Sequence, residues 1–391
     1  MKNPIDFRIL TAIIAALSML SECSPREKSV ANISESWDQY FTRQFPSGEP
    51  GGAVLVLKDD SVLFSKGYGL ADIHTRERIS SKTLFNLGSI SKTFVAHAIL
   101  QLQEQGKLSL EDSLAKFFPG FKNKSIARQI KIKHLLTHTS GLPDNRQVSN
   151  DTAFYLTAKD AENWYPVTQA DALEFEPGSQ FRYSNPAYNG LALIVEQVVK
   201  MPWQQYVEEN MLKPAGMTTS TITNGPHPQQ GVAHAYVNNH GKWTEDDYGE
   251  EPTFAAAGNG GVWSSVEELG RYHQALVNHK LLKPETFADA IEIKTFDNWI
   301  GTFTANVAWS WHKPTKKNAN GTIQPFIGWS WFIGETPNGL KTVGHTGSQG
   351  GFLCNYVSIP EKKILVVILC NTPRDINAQT EFVLSAIEQG R

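Results

Sequence analysis

FNLGSISKTFVAHAILQL, residues Phe85–Leu102, has the apolar spacing of an amphipathic helix in its second half. We expect this helix to end near Gly106, since glycine is a typical C-terminal cap. Ser89 then lies at the N-terminus of the helix, and Lys92 follows one turn later on the same face. A buried lysine amine can take a serine proton, so the pair predicts a nucleophile and its base. An ordinary capped helix has the same four-residue pattern, so the hypothesis depends on partners elsewhere in the chain.

Two later stretches supply such partners. Tyr183-Ser184-Asn185 carries a phenol and an amide two residues apart, and in an extended segment both side chains point the same way. A phenol beside cations can lose its proton below its usual pKa and take part in proton transfer. The segment from His345 to Ser348 opens a β-rich run, and an extended strand beside a serine can offer a backbone N–H to an oxyanion. Together these are the parts that acyl transfer requires.

In chain order the three elements are S-x-x-K, Y-x-N and H-T-G. They resemble the motifs of the serine β-lactamase-like superfamily, in particular its class C β-lactamase and D,D-peptidase branch. The resemblance runs from about Ser34 to the C-terminus and includes three flanking stretches, Ile132–Pro143, Phe175–Gly178 and Lys213–Met217. It implies a β-lactamase/transpeptidase-like α/β (α+β) fold for a catalytic domain over residues 37–391.

The resemblance also implies catalytic roles. Ser89 becomes acylated, and Lys92 and Tyr183 share the duties of general base and general acid, although the sequence does not decide which of them takes the serine proton. Asn185 hydrogen-bonds the substrate amide. The backbone N–H groups of Ser89 and Ser348 form the oxyanion hole.

The strand that carries His345, Thr346, Gly347 and Ser348 is expected to bind substrate. His345 stands where many β-lactamases have a lysine, which is a fixed cation that can hold a substrate carboxylate. An imidazole is mostly uncharged at neutral pH unless a neighbour raises its pKa. We therefore expect binding of substrate carboxylates to be weaker or dependent on pH.

The favoured hypothesis is a serine hydrolase that forms an acyl-enzyme with an ester, amide or peptide substrate, as D,D-peptidases, esterases and amidases do. A β-lactamase that hydrolyses β-lactams is the first alternative, because His345 departs from the usual lysine of those enzymes. A slow penicillin-binding or sensor protein is an alternative of another class. The intact set of Ser89, Lys92, Tyr183 and Asn185 argues against a protein without turnover.

Strand patterns lie at both ends of the chain, and helical patterns fill its middle. We predict an antiparallel sheet of N- and C-terminal strands, flanked by a helix from Trp37 to Phe45 and another from Asn377 to Glu388. A mostly helical lobe covers about residues 107–260. Residues 144–166 are expected to cover the site, with an aromatic wall of Phe154, Tyr155, Trp164 and Tyr165. Ser265 and Glu268 are expected to form a capping box at the start of a later helix. The predicted strands are Gly52–Leu57, Ser61–Ser65, Gly328–Gly334, Lys341–Gly344, Phe352–Ile359 and Ile364–Cys370.

The N-terminus has the pattern of a targeting segment. Lys2 and Arg8 precede an apolar run too short to span a bilayer comfortably, which predicts a signal peptide over residues 1–22 and export to the periplasm or cell envelope. The residues before Cys23 resemble a lipoprotein cleavage box, although Glu22 departs from it, so lipidation and simple secretion both stay open. Residues 23–36 are predicted to form a polar tether.

Composition narrows the possible partners. The 391 residues are 40% hydrophobic and 19% charged, and the net charge of −3 does not favour nucleic-acid binding. We predict no cofactor and no metal, because the His134 and His138 pair lacks the glutamate of H-E-x-x-H. The expected partner is a small-molecule or peptide acyl substrate. Cys354 and Cys370 are expected to be free buried thiols, with a disulfide as the alternative.

Overall fold

The structure is a computed structural model that describes residues 25–148, 151–225, 227–245, 254–301 and 325–388. The predicted signal peptide and Cys23 lie outside these ranges, as do Trp309 and Trp311. Within them, the search for a helix both long enough and apolar enough to cross a membrane finds none.

One antiparallel sheet of six strands joins the two ends of the chain, as predicted. Its strands are β1 Gly52–Lys58, β2 Ser61–Tyr68, β8 Phe332–Glu335, β9 Lys341–Gln349, β10 Phe352–Ile359 and β11 Ile364–Cys370. Their spatial order is β2-β1-β11-β10-β9-β8, and Gly52 of β1 lies opposite Cys370 of β11.

The sheet is covered on both faces, which explains why its central strands are apolar at every position. In β11 the residues Leu365, Val367 and Leu369 pack into the larger core, on the side of the helical lobe. The alternate residues, including Val366 and Ile368, pack on the other side against the first and last helices. Side chains alternate between the two faces of a strand, so burial on both sides produces a continuous apolar run.

The middle of the chain is mostly helical, as predicted. The helix that follows Ser89, here called the serine helix, is α2 and runs from Ser91 to Glu104 after a single 3-10 turn, Gly88–Ile90. The other helices are α1 Pro25–Gln44, α3 Leu114–Phe117, α4 Lys124–Gln129, α5 Ile132–Leu136, α6 Thr152–Thr157, α7 Asp160–Thr168, α8 Asn185–Val199, α9 Trp203–Val207, α10 Lys213–Ala215, α11 Ala257–Gly260, α12 Val266–Val277, α13 Pro284–Ala290 and α14 Ile376–Glu388. One π-helical turn, Glu208–Leu212, joins α9 to α10.

Short strands in the middle of the chain were not predicted. β3 Phe85–Asn86, β7 Val262–Ser264 and β4 Thr221–Ile222 form a small sheet in that order, and β5 Tyr236–Asn239 pairs with β6 Lys242–Glu245. Strands of two to four residues are too short to show a period in the sequence. The small sheet matters because β3 leads directly into the turn that carries Ser89.

Several boundaries differ from the prediction; β1 and β2, for example, extend to Lys58 and Tyr68. The first helix begins at Pro25, so residues of the predicted tether are helical in the structure. Strand β8 begins at Phe332, and strand β9 extends to Gln349.

The predicted capping box at α12 forms only in part. Ser265 accepts a hydrogen bond from the Glu268 N–H, but the Glu268 carboxylate accepts from the N–H groups of Thr219 and Ser220 instead of closing the box.

The two C-terminal cysteines are free and buried. Cys354 lies opposite Leu369, while Cys370 lies opposite Leu353, so the register places the two thiols one residue apart. Adjacent positions in paired strands face opposite sides of a sheet, and the two cysteines indeed belong to different cores. This geometry excludes a disulfide between them in this fold and confirms the prediction of free thiols.

Candidate active site

Ser89 lies on a tight turn held between the small sheet and strand β9. The Gly88 N–H donates to the Asn86 side chain at 2.8 Å, and Gly88 has a positive φ of 50°. A Cβ added to Gly88 would lie 2.7 Å from the backbone nitrogen of Ser348, too close for any other residue. Glycine therefore permits both the left-handed backbone and the close approach of β9.

Lys92 is fully buried, and its side chain reaches back to the serine. Its Nζ lies 2.9 Å from the Ser89 Oγ and 2.9 Å from the backbone oxygen of Asn259. Burial holds the pKa of the Lys92 amine well below its usual range, and the nearby Arg146 guanidinium lowers it further. The amine is thereby favoured in its neutral form, which has a lone pair able to take the serine proton.

Tyr183 contacts the same pair from the side of helix α8. Its ring centre lies 5.1 Å from the Lys92 Nζ, and its phenol oxygen is buried. Burial raises the pKa of Tyr183, and its hydrogen bond with Ser89 lowers that pKa less than burial raises it. Burial therefore favours the protonated phenol over the phenolate that the sequence left open, and it shifts Lys92 towards the neutral amine.

Asn185 is the first residue of helix α8, two residues beyond Tyr183. Between them Ser184 is extended, with φ −133° and ψ 108°, and its side chain caps the helix by accepting from the Ala187 N–H. Asn185 is half-buried, which leaves its amide partly accessible.

The backbone of β9 approaches the turn that carries Ser89. A Cβ on Gly347 would clash with the Leu87 carbonyl oxygen and lie 3.2 Å from the Ser89 backbone nitrogen. Both predicted oxyanion donors, the N–H groups of Ser89 and Ser348, thus belong to backbone segments in direct contact. The first N–H groups of a helical turn have no partner within the turn, which suits a donor to an oxyanion.

The side chains of β9 differ in their access to solvent. Thr346 is half-buried and Ser348 is exposed, but His345 has 0% exposure. The His345 ring centre lies 4.9 Å from that of Phe332, and its Nδ1 lies 2.6 Å from the Thr346 carbonyl oxygen. In this structure the imidazole is therefore buried and is not presented to solvent.

The family model described as Beta-lactamase matches residues 38–384. The chain belongs to the Beta-lactamase family. An Escherichia coli (strain K12) protein named as a candidate D-alanyl-D-alanine carboxypeptidase is 26% identical over 431 residues, covering 100% of this chain and 95% of that protein. The octameric penicillin-binding protein homologue from Pyrococcus abyssi is 25% identical with a TM-score of 0.71, over 88% of this chain and 73% of that one.

A further solved structure, the D-amino acid amidase from Ochrobactrum anthropi SV3 with L-phenylalanine amide, shares the fold. Its TM-score is 0.69 at 18% identity, over 94% of this chain and 100% of that chain. The match to the Beta-lactamase family model and the likeness to the Pyrococcus abyssi structure confirm the resemblance and the fold class expected from the sequence. The chain is a serine hydrolase.

His138 lies beside Tyr183 in the candidate site of this Beta-lactamase family member, although its sequence spacing from His134 predicted only that the pair holds no metal. Its ring centre lies 4.3 Å from that of Tyr183, and its Nδ1 accepts from the Ser184 N–H at 3.0 Å. Burial lowers the pKa of His138 well below its usual range, so the ring is neutral at neutral pH. His134 instead accepts from the Lys131 N–H, and the described residues contain no group of side chains arranged to hold a metal.

Only part of the predicted aromatic wall borders the cleft. Tyr155 of helix α6 accepts a hydrogen bond from Gln349, the residue after Ser348, and packs against Phe254. Trp164 is buried behind Gly190 of α8, so its assignment to the wall was wrong. Tyr165 is 64% exposed on the outside of the lobe.

The described tryptophans near the C-terminus divide between core and site. Trp329 and Trp331 are buried in the large core. Trp299 and Tyr183 each pack against a small cluster that includes Phe181 and Phe332. Trp329 and Trp331 thus fill the core, whereas Trp299 lies against the cluster that Tyr183 also contacts.

Proposed function

We propose that this serine hydrolase is of the D,D-peptidase or amidase type, with Ser89 as nucleophile and Lys92 as the base that takes its proton. The observation that carries the proposal is the fully buried amine whose Nζ lies 2.9 Å from the Ser89 Oγ. A low-dielectric environment favours the neutral amine, and the helix N-terminus favours the negative charge that develops near Ser89.

The state of Tyr183 favours amides and peptides over activated esters. A leaving nitrogen must receive a proton when the C–N bond breaks, whereas a nitrophenolate leaves without one. A protonated phenol that hydrogen-bonds Ser89 is a suitable donor for that proton. The names of the E. coli relative and of the amidase neighbour point to the same class of substrate.

The steps follow from these positions. The Ser89 Oγ bonds to the substrate carbonyl carbon while its proton moves to Lys92, and the N–H groups of Ser89 and Ser348 stabilise the oxyanion. The C–N bond then breaks, Tyr183 gives its proton to the leaving nitrogen, and Lys92 returns a proton to Tyr183. Water attacks the acyl-enzyme in the same way: its proton passes to Lys92, the bond from the acyl carbon to the Ser89 oxygen breaks, Tyr183 gives its proton to that oxygen, and Lys92 returns a proton to Tyr183. Asn185 and strand β9 hold the acyl group.

Export belongs to the same proposal. A signal peptide over residues 1–22 would deliver the catalytic domain, residues 37–391, to the periplasm or cell envelope. Lipidation of Cys23 would add a membrane anchor. Mass spectrometry of the mature N-terminus distinguishes a lipidated Cys23 from an unmodified or uncleaved one.

The test compares wild type with Ser89→Ala on four reagents: a peptide ending in D-alanyl-D-alanine, a D-amino acid amide, a p-nitrophenyl ester and a fluorescent penicillin. We expect turnover of the peptide or the amide, and its loss in Ser89→Ala. Turnover of the penicillin instead would identify a β-lactamase, and stable labelling with no turnover would identify a binding or sensor protein. Equal behaviour of wild type and Ser89→Ala with all four reagents contradicts the mechanism.

A further inference from the structure

A buried carboxylate lies in the helical lobe, away from the residues that the motifs identify. Asp160, the first residue of helix α7, has only 7% of its surface exposed. Its Oδ1 accepts from the Gly258 N–H at 2.8 Å and from the Asn189 side chain at 2.6 Å, and its Oδ2 accepts from the Trp203 indole at 2.9 Å. Within the described ranges no cationic side chain contributes to its charge balance. A buried carboxylate without an ion pair is costly, so its retention calls for an explanation.

Two hydrogen-bonded routes connect Asp160 to the turn that holds Lys92. The first follows the backbone of helix α11, where the Gly258 N–H donates to Asp160 and the carbonyl oxygen of the next residue, Asn259, accepts from the Lys92 Nζ. The second runs through Asn189, whose side-chain oxygen accepts from the Asn259 side chain at 3.0 Å. Asp160, Asn189 and the backbone of Gly258 and Asn259 thus form a closed ring beneath Lys92. We call this ring the base network.

The charge of Asp160 determines which groups of the ring donate hydrogen bonds and which accept them. Burial raises the pKa of the Asp160 carboxyl to about 6, so at neutral pH it is mainly ionised and can only accept hydrogen bonds. Asn189 must then turn its NH₂ towards Asp160, which leaves its oxygen facing Asn259. An amide or a protonated acid at position 160 would itself carry a donor, which would face one of the three N–H groups that now donate to Asp160. Two facing donors cannot hydrogen-bond, so this orientation would be lost.

We propose that Asp160 is a positioning residue for Lys92, acting through Gly258, Asn189 and Asn259. A neutral amine has a single lone pair, which must point at the Ser89 hydroxyl to take its proton. The Asn259 carbonyl accepts one amine hydrogen and so fixes the rotation of the amine. Asp160 holds the backbone that carries this carbonyl, through the Gly258 N–H and the Asn189 side chain. The inference rests on the proposed acylation of Ser89 by way of Lys92.

The structure offers a matched pair of variants. Asn189→Ala and Trp203→Phe each remove one hydrogen bond to the same carboxylate, but only Asn189 lies on a route to Lys92. Asp160→Asn disturbs both routes while preserving shape. The readout is the rate constant of Ser89 acylation by fluorescent penicillin and by a p-nitrophenyl ester, together with the dissociation constant of the non-covalent complex.

We expect Asp160→Asn to lower the acylation rate constant about 100-fold, which is what misplacement of a reacting group by about 1 Å can cost. Asn189→Ala disturbs only one of the two routes, so it should lower this rate constant about 10-fold. Trp203→Phe should stay within about 3-fold, and the dissociation constants should not change, since no residue of the base network is expected to touch the substrate. A purely structural role would instead change acylation equally in Asn189→Ala and Trp203→Phe.

Several outcomes contradict the inference. One is a folded Asp160→Asn variant that acylates at the wild-type rate; another is an equal effect of Asn189→Ala and Trp203→Phe. If Asp160→Asn does not fold, the comparison of the other two variants still decides. Ser89→Ala separates the two proposals: labelling that survives in Ser89→Ala refutes the proposed function. Labelling that is lost there but unchanged in the Asn189 and Asp160 variants refutes only the role of Asp160.

Discussion

Two buried polar networks lie against different faces of the serine helix. The base network contains Asp160 and reaches Lys92. On the face towards helix α12, a second network begins at Trp331, whose indole N–H donates to the His97 Nε2 at 3.1 Å. It continues through Tyr272, whose hydroxyl lies 2.6 Å from the His97 Nδ1, and ends at Thr93. We call it the indole network.

The donors of the indole network determine the direction of each of its hydrogen bonds, and the network carries no charge. An indole can only donate, so the His97 Nε2 accepts and its Nδ1 carries the hydrogen that goes to Tyr272. Tyr272 then donates to Thr93, which donates to the Ile90 carbonyl at 2.9 Å, one residue after Ser89. Burial lowers the pKa of His97 to about 3, which keeps the ring neutral.

The difference shows how one helix serves both stability and chemistry. The indole network satisfies its buried polar groups with neutral hydrogen bonds, which is the inexpensive way to order a core. The base network buries the Asp160 carboxylate beneath the buried Lys92 amine, and burial shifts both pKa values against the charged forms. Such strain is typical of functional sites, so mutations in the base network should affect catalysis, and mutations in the indole network should affect stability.

The largest effect expected from this division is that of Lys92→Met. It removes the proposed base and should lower the acylation rate about 10⁴-fold or more. An apolar side chain of similar length also replaces a buried amine, so the free energy of unfolding should equal or exceed that of wild type. Acylation kinetics and urea unfolding measure the two quantities. A strongly destabilised Lys92→Met variant would contradict the assignment of strain to the base network.

Tyr183→Phe should have the next largest effect, and it should depend on the leaving group. Loss of the proton donor should lower hydrolysis of an amide or peptide about 10²–10³-fold, but hydrolysis of a p-nitrophenyl ester about 10-fold or less. The measurement is kcat/KM for both substrates with both enzymes. An equal loss on the ester and the amide would show that Tyr183 is not the acid for the leaving group.

The sequence predicted the sheet more closely than the lobe for a physical reason. Strands Phe352–Ile359 and Ile364–Cys370 were predicted to the residue, because burial on both faces leaves long apolar runs that end at clear turns. In the lobe, an apolar or aromatic residue signals burial but not the side on which it packs. Trp164 was therefore assigned to the cleft, although Gly190 makes room for it inside the lobe.

That Ser89, Lys92 and Tyr183 lie together was predictable because they belong to ordered motifs. Their division of labour was not predictable, since it depends on burial. The supports of the site were missed for another reason: the Asn259 oxygen that holds Lys92 is a backbone atom, which no side chain identifies. His138 was noticed, but spacing alone could not show that its ring packs against Tyr183.

On the indole side, Trp331→Phe should reduce stability and spare catalysis. The change leaves the buried His97 Nε2 without its donor and removes part of a packed ring, at a cost of about 2–4 kcal/mol in the free energy of unfolding. Acylation per folded molecule should stay within about 3-fold of wild type. Urea unfolding and active-site titration measure the two effects, and a loss of acylation as large as in Asn189→Ala would remove the distinction between the networks.

The smallest expected effect is on the pH dependence of stability, where the two networks should have opposite signs. The folded pKa of His97, about 3, lies below the value near 6.5 of an unfolded histidine, so the unfolded chain binds the proton first and stability falls as pH drops below about 6.5. The folded pKa of Asp160, about 6, is raised by burial and by the nearby Glu196, so its ionisation destabilises the fold and stability is regained as pH falls through 6.

Between pH 7 and pH 5, His97 should thus cost about 1–2 kcal/mol, and Asp160 should return about 1 kcal/mol. Urea unfolding at both pH values tests this with His97→Gln and Asp160→Asn. The loss of stability on acidification should shrink in His97→Gln and grow in Asp160→Asn, while buried His134 contributes equally to wild type and both variants. Changes of the same sign in the two variants would mean that burial does not shift the two groups in opposite directions, and the contrast between a neutral and a charged network would fail.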